Sequence, residues 1–340
     1  PTYPQLEEMA KLFKVPVAVF FFPEPPATPP IEEAFRTLPE AELEAIEPRM
    51  KLLLRKAKTL QLNLAELNGG RNPARRLITR DLQFDANTEA ERMAATVREY
   101  LGVSIEEQAA WATVEIALEK WRAKFVEVGV HVFKDQFRSP RFAGFCLTDD
   151  EFPIIYVNNT AAKSRQIFTL FHELAHLLFH TSGVDLKTQE VPPTENAEDR
   201  RIEVLCNRFA GVFLVPEAAL AEKLGDRTPD EEAARELAAY FNVSMLVIFR
   251  KFREMGLIRA ADYAEAHRRA EEIEQPGGGG GNWYNNQMAY LGRAYMGLAL
   301  GAYRQHRITE SQLAEYLMAR PRNIGGLEER YLKGTTAEAA

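Results

Sequence analysis

Apolar and polar positions change texture twice along this chain. In residues 6–14, LEEMAKLFK, apolar side chains fall at Leu6, Met9, Leu12 and Phe13, the spacing of one helix face. VPVAVFFFPEPP then runs extended into prolines that stop any helix. A long helical pattern covers Pro39 to Asn68, divided near Pro48 and broken by Gly69-Gly70. Thr88 with Glu91, and Ser104 with Glu107, have capping-box spacing. They predict one helix closed by Gly102 and another stretch reaching Val128.

From Gly129 the texture becomes short β-branched and aromatic segments, GVHVFKD, RFAGFCLTD and FPIIYVNN. Polar clusters separate them, so they predict three strands, most simply an antiparallel meander. GVHVF or RFAGFCL would then offer a free edge for an added strand. Asn159 and Thr160 cap a predicted helix over 161–180, and Ser182-Gly183 closes it. A polar loop, Asp185–Glu195, leads to a helix from about Asn196 to Pro216 with a buried stripe of Ile202, Leu205, Phe209, Val212 and Phe213. LAAYFNVSMLVIFRKFREMGLI has helix-turn-helix spacing around Asn242–Ser244. The tract PGGGGG at 276–281 reads as a flexible linker before a helical tail, in which ITESQLAEYLMARPRNIGGL is a weaker helix-turn-helix-like stretch. The expected class is α+β, mainly helical, with a small antiparallel sheet. The expected divisions are 1–30, 31–128, 129–225, 226–275, 276–282 and 283–340.

Composition narrows the function classes. The 340 residues carry 42 Lys+Arg against 49 Asp+Glu, a net charge of −7, which disfavours a mainly nucleic-acid-binding surface. No apolar run approaches the roughly 18 residues of a membrane span, so no membrane role is expected. Two cysteines, Cys146 and Cys206, cannot build a disulfide framework, and a reducing, cytoplasmic setting is expected.

Chemistry concentrates in FHELAHLLFH, residues 171–180. His172 and His176 stand four apart on a predicted helix, roughly 6 Å along its axis, where two imidazoles can converge on one metal ion. Glu173, rotated about 100°, is placed to accept a proton from water instead. A catalytic zinc needs a third protein ligand and an open position. Ser182 and Phe179 occupy the positions where a metzincin needs histidine and glycine. His180, about 12 Å beyond His172 along the axis, is too distant to share the ion and reads first as a hydrogen-bonding residue at the helix end, with a contact to a metal ligand or the substrate as the alternative. Glu195, Glu198, Asp199 and Glu203 remain, and Glu203 is favoured: it lies inside the helix beside the buried stripe, where a carboxylate needs a cation. Asn207, one turn on, is placed to orient it by hydrogen bonding.

FTLFHELAHLLFH followed by IEVLCNRFAGVFLVP resembles the ImmA/IrrE family of zinc metallopeptidases, over about residues 31–260. The resemblance implies a zincin-like domain, Zn2+ held by His172, His176 and Glu203, and Glu173 as catalytic base. It also implies a protein substrate, typically a helix-turn-helix repressor, with some members belonging to toxin–antitoxin pairs. The segment PTYPQLEEMAKLFKVPVAVFFFPEPP resembles the last helix and exit of a Cro/repressor-type helix-turn-helix domain, whose recognition helix would lie ahead of Pro1. Tyr156 and His180 are the candidate oxyanion donors nearest in sequence. Two other readings stay open: a zinc-stabilised toxin or interaction protein without turnover, and a transcription regulator touching DNA through Arg250, Lys251 and Arg253. Arg71, Arg75, Arg76 and Arg80 form a further basic cluster, read as a solvated surface or a partner contact, and Cys206 is a candidate redox-sensitive position.

Overall fold

The computed structural model describes residues 48–139, 142–180, 184–186, 197–273 and 282–338, with a few positions near the start of the chain. The sequence-predicted glycine linker, Glu195 and most of the 1–30 segment lie outside the described residues.

A four-stranded sheet forms the middle layer: β1 (His131–Asp135), β2 (Phe142–Leu147), β3 (Ile154–Asn158) and β4 (Val184–Leu186). The strand order is β1-β3-β2-β4, with β1 parallel to β3 and the other pairs antiparallel. The expected meander is therefore corrected to a mixed sheet: β3 inserts between β1 and β2, and β4 forms within the expected polar loop. RFAGFCL is an inner strand with partners on both sides, so of the two segments expected to offer an edge only GVHVF lies at one. Every residue of β1, β2 and β3 is buried, because helices cover both faces. Successive side chains then go to opposite layers. Val132, Cys146, Ile155 and Val157 join one core, and Phe133, Phe145, Ile154 and Tyr156 join the other.

Helix α1 (Pro48–Leu67) buries Leu53, Ala57, Leu60 and Leu64 at helical spacing against the second core. After α2 (Ile78–Asp81), α3 (Ala90–Leu101) begins two residues past Thr88 and ends on left-handed Gly102. Glu89, not Thr88, is its N-cap. Ser104 does cap its helix, its hydroxyl accepting the Glu107 amide at 3.1 Å. The stretch to Val128 divides into α4 (Ile105–Ala109) and α5 (Val114–Glu127) because Thr113 caps a new start.

The first core lies between the sheet and α5, α6 (Lys163–Leu178) and α7 (Ala197–Leu214). Beyond α7 come α8 (Glu217–Leu224), α9 (Glu231–Phe241), α10 (Met245–Glu254) and α11 (Ala260–Ile273). The expected helix-turn-helix is α9 and α10, turning at left-handed Asn242. Its amide donates to the carbonyls of Gln108 (3.1 Å) and Trp111 (3.3 Å), which fastens the turn to the C-terminal end of α4.

The tail, α12 (Trp283–Leu291), α13 (Arg293–Arg304), α14 (Glu310–Tyr316) and α15 (Ile324–Glu338), packs with α1 on the sheet's second face. It is built into the core and is not an appendage. The ring of Tyr295 meets Phe133 edge-on at 5.2 Å, and its hydroxyl donates to Tyr316 O. Arg122 of α5 donates to Val132 O (2.9 Å) and Ala289 O (3.1 Å), joining the sheet to α12. No single helix among the described residues is long and apolar enough to cross a membrane.

Candidate metal centre

Helix α6 is buried on all sides from Gln166 to Leu178, which is unusual for a segment containing two histidines and a glutamate. Asn158, fully buried, organises its approach by accepting the Thr160 amide and hydroxyl and donating to Phe142 O. Helix α6 itself begins after Ala162, beyond the expected caps. Phe171 anchors the middle of α6, stacked on Phe213 of α7 at 4.1 Å and edge-on to Trp121 of α5 at 4.8 Å. Each such aromatic pair contributes about 1 kcal/mol beyond area burial, and together they fix α7 beside α6.

That packing brings Glu203 to the two histidines. His172 Nε2 lies 3.3 Å from Glu203 Oε1, and His176 Nε2 lies 3.2 Å from Oε2. The two imidazole Nε2 atoms are 3.1 Å apart. Bonds of about 2.1 Å at tetrahedral angles would space three donors by about 3.4 Å, so the set has the size of a zinc site. Two imidazoles and one carboxylate also suit zinc chemically and leave a fourth position for substrate or water. Among the described residues this is the group of histidines and carboxylates close enough to hold a metal ion.

The electrostatics agree with a cation-binding pocket. Burial pushes the Glu203 carboxyl upward, but His172, His176 and the Asn207 amide outweigh it and bring it down to about 2. Asn207 donates to both Glu203 O (3.2 Å) and Glu203 Oε1 (3.3 Å), the orienting contact expected from its spacing. Glu173, next to His172, is fully buried. A β-carbon built on Gly144 of β2 would stand 3.6 Å from Glu173 Oε1.

Two sequence-predicted residues are not brought to this point. Tyr156 sits on the opposite face of the sheet, in a three-ring cluster with Phe137 and Phe145, with its hydroxyl on Asp135 Oδ2 at 3.3 Å. Strand parity puts it there, because its neighbours Ile155 and Val157 face α6. His180 leaves the helix, taking a left-handed φ of 53° after Leu178. It lines a small pocket with Thr79, Arg80, Asp149, Asp150 and Pro153 and is not in the group of donors close enough to share an ion.

Glu198 and Asp199 lie in the first turn of α7. The Arg165 guanidinium lies over the Phe168 ring at 5.4 Å, and Cys206 is buried one turn after Glu203. Arg80 pairs with Glu151 at 2.6 Å, and Arg76 lies 3.7 Å over the Tyr100 ring. Arg250 and Lys251 both pair with Glu254, and Arg253 lies over Tyr263. Sequence reasoning missed Gly144, whose signal was an isolated glycine inside a strand pattern.

Residues 126–253 match the Peptidase_M78 family, described as the IrrE N-terminal-like domain. The chain is also similar to the radiation response metalloprotease IrrE of Deinococcus radiodurans, 36% identical over 98 residues. That stretch covers 28% of this chain and 29% of the relative.

Proposed function

We propose that this chain, whose residues 126–253 match the IrrE N-terminal-like domain, is a zinc-dependent endopeptidase acting on a helix-turn-helix repressor or an antitoxin-like regulator. The observation that carries the metallopeptidase chemistry is the convergence of His172, His176 and Glu203 beside a buried Glu173. The repressor as substrate, and control of gene expression as the outcome, rest on the family resemblance of the two motifs.

In this reading His172, His176 and Glu203 hold the ion, and Asn207 keeps the Glu203 carboxylate turned toward it. Zinc, when bound, supplies Lewis-acid polarisation of the scissile carbonyl and makes water acidic near neutral pH. Glu173 accepts the proton of the attacking water and returns it to the leaving amide nitrogen. Burial of these side chains excludes bulk water, which strengthens each charge interaction around the reacting bond.

The same burial favours one alternative, a zinc-stabilised toxin or interaction component that binds its partner without cutting it. A single experiment separates them. The zinc-loaded chain is incubated with a candidate helix-turn-helix repressor, in parallel with Glu173→Gln. Fragments from the wild type alone, at equal zinc content, support the peptidase. An intact repressor with fully loaded wild type overturns it for that substrate. Retention of the biological effect by Glu173→Gln overturns catalysis altogether.

A further inference from the structure

Strand β2 carries Gly144 opposite Val157 of β3 and Asp185 of β4, at the irregularity in the β2–β4 register. Its backbone φ is not in the left-handed region, so conformational freedom does not explain a glycine here. Space does. A β-carbon at Gly144 would lie 2.5 Å from Thr169 Cγ2, 3.0 Å from Tyr156 O and 3.6 Å from Glu173 Oε1. Thr169 and Glu173 are one turn apart on α6, so both look down on this one strand position. Thr169 is buried, and the opposite flank of α6 is filled by Phe171 against Trp121 and Phe213. The helix therefore has no room to back away without disturbing that aromatic contact.

We infer that Gly144 is a positioning residue for the Glu173 carboxylate: with no β-carbon it lets α6 rest directly on β2, and the Thr169 methyl is the group an added β-carbon would strike first. The inference rests on the proposed role of Glu173, and it makes a separable claim. An added methyl displaces the Thr169–Glu173 side of α6. The metal donors meet at the α6–α7 seam, where the Phe171–Phe213 stack resists a shift, so the strain falls on the Glu173 side chain facing β2. Metal binding and Glu173 placement should therefore come apart.

The test uses the full chain as wild type, Gly144→Ala, Thr169→Ser and the double variant, each loaded with Zn2+ or Co2+. Three quantities are read: bound metal per chain, the Kd of acetohydroxamic acid from the visible absorbance of the Co2+ form, and kcat and KM on the cleaved repressor. Acetohydroxamic acid is chosen because it chelates the ion while its hydrogens need a carboxylate acceptor beside the metal. Gly144→Ala is expected to keep one metal per chain, to bind the hydroxamate about tenfold more weakly, and to lose kcat by about 10–100-fold with KM little changed. Thr169→Ser deletes the methyl at the 2.5 Å contact and keeps the hydroxyl, so it should behave as wild type alone. In the double variant it should restore hydroxamate affinity to within about threefold.

Wild-type hydroxamate affinity in Gly144→Ala overturns the inference. So does metal loss in parallel with affinity, or a double variant no better than the single one. If Gly144→Ala does not fold, the double variant decides alone: folded with near-wild-type affinity supports the spacing role, and anything else overturns it. A wild type that binds metal and hydroxamate yet cuts no repressor sinks the peptidase reading only, because metal content and hydroxamate affinity need no turnover.

Discussion

The two faces of the sheet are built from different kinds of chain. On the metal-centre face, α6 follows β3 directly, and α7 brings one carboxylate to two imidazoles. On the other face, α1 and the α12–α15 bundle meet across the length of the sequence: the Asn63 amide donates to the Tyr295 hydroxyl 232 positions away. The first face depends on a few buried polar atoms in fixed positions. The second depends on aromatic and aliphatic area, with Phe133, Phe145, Tyr156 and Tyr295 in one cluster. A change of a single atom should therefore destroy chemistry on one face and leave stability alone, whereas only loss of bulk should matter on the other.

The largest expected effect is that of Glu173→Gln, which keeps side-chain volume but cannot take a proton. Turnover should fall by about 10²–10⁴-fold with metal content and melting temperature near those of wild type. Next is Tyr295→Ala on the far face, expected to cost about 3–5 kcal/mol in chemical denaturation. Its kcat per folded molecule should be unchanged. A Tyr295→Ala protein that is stable but slow would break the division between the faces.

What the sequence discloses follows the same line. The His-Glu-x-x-His spacing is legible because both imidazoles lie on one helix, where 3.6 residues per turn fixes their separation. Glu203 is legible because a carboxylate two turns inside a helix, beside Ile202 and Phe209, needs a cation. Strand order is not legible. With both faces covered, β1, β2 and β3 are buried at every position and show no alternation to assign a face. That is why Tyr156 reads as a neighbour of the metal and lies on the other side. His180 lies past the helix end, as its distance from His172 along the helix led one to expect, since α6 stops at Leu178 and the chain turns left-handed. The tail reads as separate because no local pattern reports packing against a helix more than two hundred positions earlier.

An acid titration sharpens the contrast at the sheet itself. His131 opens β1, and burial alone holds its imidazole down at about 4, against 6.5 for a free side chain. The unfolded chain therefore takes up this proton first as pH falls. Stability is full above about pH 6.5 and declines through the folded value near 4, by roughly 3 kcal/mol in total. His131→Leu removes the group, so its melting temperature should fall less than that of wild type between pH 7 and 4. Equal slopes for the two proteins would show that other groups govern acid unfolding.

The smallest expected effect tests the metal-centre face at its margin. Asn207 touches no donor site on the two histidines; it holds Glu203 through one side-chain and one backbone contact on the same helix. Removing it in Asn207→Ala leaves the three donors in place but frees the Glu203 carboxylate to rotate. Zinc affinity, measured by competition with a chromophoric chelator, should weaken by about 10–100-fold, the usual consequence of losing a group that orients a ligand. Unfolding of the metal-free protein should shift little, because Asn207 is only partly buried and adds little apolar contact. If the metal-free protein is instead destabilised as much as Tyr295→Ala, then the hydrogen bond serves packing. The metal-centre face would then share the diffuse energetics of the other.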